Sequence, residues 1–227
     1  MKKWILIAAL ALTGCDEGRI YGDYFPDDRS GLSAHVEIAN ALGVDRWFSG
    51  YSLAVAGFIP GSEYALISKN LELDDAGCCD VTLSGIPPEA QTIELCVVDR
   101  LRRRVAVFQS VRVGSDELSL ICRGADLSPE AAIQSEIFNT TCINCHGGAN
   151  FAAGNLNLTE GRAFQELVGQ PSVKEPGRLR VEQGAPEESV LYQILSGNGS
   201  AAWSYDHSVE ITASEKLDLI KNWIKAQ

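Results

Sequence analysis

Methionine is almost missing from this 227-residue chain. It occurs once, at position 1, and histidine occurs only three times. With Met1 inside what reads as a removable leader, no thioether side chain is left for a site in the mature protein. Long apolar runs are missing too. The apolar stretch after Lys2 and Lys3 covers residues 4–12, well short of the roughly 18 residues a membrane-spanning helix needs. Basic residues are scarce: 19 Lys and Arg face 30 Asp and Glu, for a net charge of −11. That excess repels nucleic acid and bare anionic lipid heads, so neither is an expected partner of the protein surface. There is also no second C-x-x-C and no H-x-x-x-H, which leaves a tetrahedral zinc site incomplete.

What is present is Cys142-Ile143-Asn144-Cys145-His146. This is C-x-x-C-H, the attachment signature of c-type haem. Positions i and i+3 share one helix face, so Cys142 and Cys145 can both reach the vinyl groups of one porphyrin as thioethers. His146 follows at once and can turn its imidazole to the iron as proximal ligand. A bare C-x-x-C is equally a disulfide, a redox pair or half of a zinc site. The adjoining His favours one covalent haem c.

Such haem is attached outside the cytoplasm, and the chain opens with an export signal. Lys2 and Lys3 precede the apolar run, which ends in Leu12-Thr13-Gly14-Cys15. This resembles the lipobox of bacterial lipoproteins. It implies that residues 1–14 are a signal peptide, that Cys15 carries the lipid, and that residues 15–30 form a lipidated tether. Two or more acyl chains anchor stably where one is marginal. The other reading is a secretory signal followed by an incidental Cys. The expected location is the cell envelope, facing the periplasm and held to the membrane by lipid. Inner and outer membrane both remain open.

Seven cysteines then divide into three groups. Cys15 goes to lipid, and Cys142 and Cys145 go to haem. Cys78, Cys79, Cys96 and Cys122 remain, an even number in an exported chain, which suggests two disulfides. Cys78 and Cys79 are neighbours, so each is expected to pair with Cys96 or Cys122.

Composition shifts near residue 125. Residues 31–125 alternate and are β-branched, with expected strands at 34–39, 52–58, 63–68, 80–84, 92–98, 104–113 and 118–122. Turn signals punctuate them, among them Pro60-Gly61, Gly85-Ile86-Pro87-Pro88 and Gly114-Ser115-Asp116. Seven short strands at this spacing predict a β-sandwich, immunoglobulin-like. Asp99 to Arg103 reads as a solvated hairpin tip, and His35 as an outward-facing residue. Residues 126–227 change to helical period. Ser128-Pro129-Glu130 predicts a capped helix start leading into the haem motif, with Ile133, Ile137 and Phe138 on one face. Short helices are predicted over 159–169 and 186–195. The capping box Thr212-Ala213-Ser214-Glu215 opens a last one, with Leu217, Ile220, Trp223 and Ile224 on one side. Together these give an expected all-α domain after the β domain.

The C-terminal hundred residues resemble the monohaem class I cytochrome c fold, in particular the modules appended to exported and lipid-anchored bacterial proteins. The matching residues are Cys142, Cys145, His146 and Gly147, then Leu156 and Leu158, then Gly184, Pro186 and Ser189, then Trp223 and Ile224. The resemblance implies an electron carrier with an unidentified redox partner protein, and no catalytic residues. One departure matters. The family places a Met as distal ligand before the last helix, and this chain has Ala201-Ala202-Trp203-Ser204-Tyr205-Asp206-His207 there. Three states fit: His207 as distal iron ligand; an open site with Trp203 or Tyr205 over the haem; or a ligand from His35 or another chain. Arg178 and Arg180 are either propionate partners or solvated. A bis-His iron is saturated and suits electron transfer. An open iron suits a sensor or peroxidase-like chemistry. An envelope binding or adhesion protein with an accessory haem module is the remaining alternative.

Overall fold

The computed structural model describes residues 31–114, 118–148 and 152–227. The leader, Cys15 and the tether lie outside them. Two β-sheets are followed by several short helices, a mixed α/β arrangement. The strands are β1 (Leu32–Ala39), β2 (Tyr51–Phe58), β3 (Ile67–Asn70), β4 (Cys79–Ile86), β5 (Thr92–Asp99), β6 (Arg104–Arg112) and β7 (Ser119–Arg123). One sheet has the order β4-β1-β7, the other β3-β2-β5-β6. β1 pairs antiparallel with β4 and parallel with β7. The four-stranded sheet is antiparallel throughout. The alternating residues explain the placement. Ala34, Val36 and Ile38 of β1 and Ile93, Leu95 and Val97 of β5 are buried in one core, as the period of two requires.

Only β3 departs noticeably from the expected positions. It begins at Ile67, not at residue 63, because residues 63–66 run as a loop in which Tyr64 makes a single bridge to Arg103. β6 carries a bulge: Leu95 faces Gln109 while Cys96 faces Val107, which leaves Phe108 as the extra residue.

The two disulfides expected of Cys78, Cys79, Cys96 and Cys122 are not formed, and all four are free thiols. Register explains why. Cys79 and Cys122 face Ile38 from opposite sides of β1. Two strand spacings of about 4.8 Å put them about 10 Å apart, beyond the span of about 4.4–6.8 Å between bridged Cα atoms. Cys96 belongs to the other sheet. It is fully buried in a separate cluster with Ala54, Phe58, Ala65 and Val98, on the face turned away from the main core. Burial raises its thiol pKa far above the ordinary value.

The helical half starts where expected. Ser128 Oγ accepts from the Ala131 N–H at 3.2 Å and Pro129 occupies the first turn. One helical run follows in three stretches: α1 (Pro129–Ile133), a π-helical stretch (Gln134–Cys142), and α2 (Ile143–His146). π geometry is rare and concentrates at functional sites, and here it runs directly into the C-x-x-C-H motif. Then come α3 (Ala163–Leu167), α4 (Val190–Leu195) and α5 (Ser214–Ala226). The capping box ahead of α5 does not form. Glu215 instead pairs with Arg103 at 3.3 Å, and the same guanidinium reaches Ser214. Arg103 is thus a clamp between the halves and not a solvated residue of the hairpin tip.

Other bonds cross the same junction. Leu42 pairs in both directions with 125–127, and Trp47 Nε1 donates to the Leu127 carbonyl at 2.7 Å. Glu136 accepts the Val107 N–H at 3.0 Å, satisfying a donor at the bulge, and holds Lys216 at 3.3 Å. Asn222 donates to the Tyr51 hydroxyl. Beneath these bonds the core is continuous, running from Val105 and Ala106 to Ile133, Phe138 and Trp223.

Candidate functional site

α2 is a single turn, so it carries Cys145 and His146 on the helix end while Cys142 closes the π stretch before it. All three side chains line one cavity of about 390 Å³, within the usual range of about 300–1,000 Å³ for small-molecule sites. Its walls are mainly aliphatic, from Leu156, Leu158, Leu167, Leu191 and Leu195. Burial pushes the Cys142 thiol up to about 11, helped by the Glu210 and Cys145 charges. Gly147 ends the turn where a Cβ would stand 2.6 Å from the Ile143 carbonyl oxygen, so the residue after His146 has no room for a side chain.

The Leu156-Asn157-Leu158 stretch clasps His146 from the other side. The Leu158 N–H donates to the His146 carbonyl at 2.7 Å, and His146 Nδ1 lies 3.2 Å from the Leu156 carbonyl. With its proton on Nδ1, the imidazole keeps Nε2 free as a ligand atom. His207 repeats the device: its Nδ1 is 3.2 Å from the Tyr205 carbonyl. Asp206 caps the turn His207–Val209 by accepting from the Ser208 N–H. Trp203 and Tyr205 bracket the His207 ring edge-on at 5.3 and 5.0 Å. Burial, the largest influence, moves the His207 pKa below its ordinary value.

The two imidazole centroids are 6.4 Å apart and inclined at 35°. Imidazole nitrogens bind metals at about 2.0–2.1 Å and sit roughly 1.2 Å from the ring centre, so two such ligands on one ion have centroids no more than about 6.5 Å apart. The residues therefore fit a group that binds one metal ion between two histidines inside an apolar pocket. Among the described residues, no cluster of three or more His, Cys, Asp or Glu is arranged to hold a bare ion. The donor set is two histidines and two thiols on one helical run, spread around a volume larger than an ion.

Of the other residues singled out in sequence, Arg180 lines the cavity. Its guanidinium is held by three carbonyls, those of Glu166, Gly154 and Asn155. Arg178 points elsewhere, to Glu175 at 2.6 Å, Gln193 at 2.7 Å and the Glu188 carbonyl. His35 lies outside the cavity, half-exposed and 3.6 Å from Asp80 on the neighbouring strand. It is removed as a ligand of this chain's own site. Ser189 is fully buried and ties the turn before α4 by bonds to Glu182 and Ala185. Gly184, at φ 75°, donates its N–H to Ile224 at the end of α5.

Glu175 is the residue that sequence reasoning missed. It is buried, with Oε1 accepting from Trp203 Nε1 at 2.6 Å and Ser200 Oγ at 2.9 Å, and Oε2 accepting from Arg178. Its partners lie up to 28 positions away, so no local pattern marks it. The Trp203 indole holds its carboxyl below the usual range; burial opposes this, and Ser200 and Arg178 add to it. A lowered folded pKa means the network is complete above the ordinary carboxylate value and is lost as pH falls through the folded one. The Trp203 indole N–H should accordingly stay protected from exchange in NMR spectra until the pH drops below about 4.3. Protection lost already near neutrality would rule out the carboxylate as its acceptor.

No family model matches the chain. Over 58 residues it is 41% identical to the outer-membrane lipoprotein carrier proteins of Pseudomonas aeruginosa and Pseudomonas paraeruginosa. The match covers 26% of this chain, and the chain spans about a quarter of those relatives. Among the described residues no helix is long and apolar enough to cross a membrane.

Proposed function

We propose that the protein is a lipid-anchored c-type cytochrome that carries electrons in the cell envelope. The observation that carries this reading is the convergence of Cys142, Cys145, His146 and His207 on one apolar cavity, with the imidazoles 6.4 Å apart. Cys142 and Cys145 would hold haem c by thioether bonds, and His146 and His207 would be the side chains that ligate its iron. Bound there, haem supplies a one-electron couple. The chain's own contribution is to fix both imidazoles through Nδ1, exclude water with the aliphatic walls, and offer Arg180 to an anionic edge of the group. Residues 126–227 form the cytochrome domain in this reading. Residues 31–125 form an immunoglobulin-like sandwich that carries it, and Cys15 bears the lipid. The partial match to carriers of outer-membrane lipoproteins supports an envelope location and nothing about their activity.

Expression with haem-attachment machinery tests this directly. Denaturing mass spectrometry should find one haem added to the chain, and none on a variant carrying both Cys142→Ala and Cys145→Ala. An unmodified parent chain would end the proposal.

A further inference from the structure

We propose that Glu175 is a positioning residue that latches the distal loop over the cavity and so keeps His207 on the iron. The inference rests on the haem reading above and adds a control element to it. The segment 198–210 has little regular structure to hold it. One short turn, His207–Val209, is its only helical piece among the described residues. Its turn packs against α4, and from Gly199 on its hydrogen bonds to other segments, among the described residues, converge on one carboxylate. Glu175 Oε1 takes hydrogen bonds from two points of the loop, Ser200 and Trp203. Glu175 Oε2 takes one from Arg178, which in turn bonds Gln193 on α4, the helix forming a wall of the cavity. The loop is thereby fastened to the rigid side of the pocket.

The force reaches His207 through Trp203. The indole stands edge-on to the imidazole at 5.3 Å and 88°, and its Nε1 is bonded to Glu175 on the other side. Tyr205 faces the same imidazole, and its hydroxyl is held by Glu210. Of the two brackets, only Trp203 is tied to residues outside the loop and its following turn. Loss of the Glu175 carboxylate frees the bracket and leaves His207 held by the packing of its own turn against α4. With haem bound, His207 would then yield its place to an external ligand more readily, while both thioethers and His146 would be unaffected.

The experiment uses the haem-loaded full chain and three variants, Glu175→Gln, Trp203→Phe and His207→Ala, with carbon monoxide as probe of the ferrous iron. Charge-assisted hydrogen bonds are strong enough that their loss should raise the rate of carbon monoxide binding about tenfold or more in Glu175→Gln. Trp203→Phe keeps the ring and removes the N–H, so it should show a similar rise if Glu175→Gln does not fold. His207→Ala sets the upper limit for an open site. In the haem-free chain, Glu175→Gln should also expose the Trp203 indole N–H to exchange. A rate unchanged in both latch variants while His207→Ala binds fast overturns the latch and leaves the haem reading intact. Absence of covalent haem in the parent chain overturns both.

Discussion

Replacing His207 with alanine should convert the haem-loaded protein from a low-spin six-coordinate species to a high-spin one that binds carbon monoxide at once. The reason is geometric. His207 and His146 both line the cavity, 6.4 Å apart, with Nδ1 of each engaged by a carbonyl, so each keeps Nε2 as the nitrogen that would ligate iron. No methionine exists outside position 1, and His35 sits on β1 beside Asp80, so among the described residues no other histidine or methionine lines the cavity to substitute. Optical spectra of both oxidation states, with and without carbon monoxide, read the outcome. A parent protein that is already high-spin would make the distal site open. Sensing or peroxide chemistry would then displace electron transfer as the leading function.

The largest effect on stability should come from Trp223→Ala. Trp223 is 1% exposed, its ring meets Phe164 at 5.2 Å, and its Nε1 donates to Glu130 at 3.0 Å. Truncating a fully buried tryptophan costs about 3–5 kcal/mol. The loss here includes a carboxylate left with Arg46 alone among its bonded partners. Trp223→Phe keeps most of the buried area and should cost less. Thermal or denaturant unfolding of the haem-free chain measures both. A loss under about 1 kcal/mol for the alanine variant would mean that the C-terminal helix is not part of the core.

The strands were readable in two ways: β1 alternates buried and exposed positions, while β2 and β5, buried on both faces, read as continuous apolar runs between turn signals. β3 slipped because it is an edge strand of four residues with two of them exposed, so the pattern constrains it weakly. The start of α1 was legible from Ser128 and Pro129, whose chemistry is local. The π stretch was not. Ile133, Ile137 and Phe138 are buried as the helical period demands, and that pattern does not reveal a widened turn. The failed capping box before α5 has the same origin. Arg103, 112 residues upstream of Glu215, competes for its carboxylate, and no local motif reports a distant competitor. At the site, the cysteines and His146 were plain from spacing. His207 needed the missing methionine to draw attention to it, and Glu175 needed the fold.

β1 gives the molecule a length as well as a core. Its eight residues rise about 3.3 Å each, so the chain that comes in at Leu32 leaves at Ala39 about 23 Å further on. The bonds to the helical half are made beyond that exit, by Leu42, Trp47, Tyr51 and Arg103. The continuous core at the junction holds the helical half in a fixed position against the strands. If a lipid grips Cys15, the strand half works as a mast. In the proposed cytochrome reading, its height would add to the tether in setting which membrane-bound neighbours could reach the cavity.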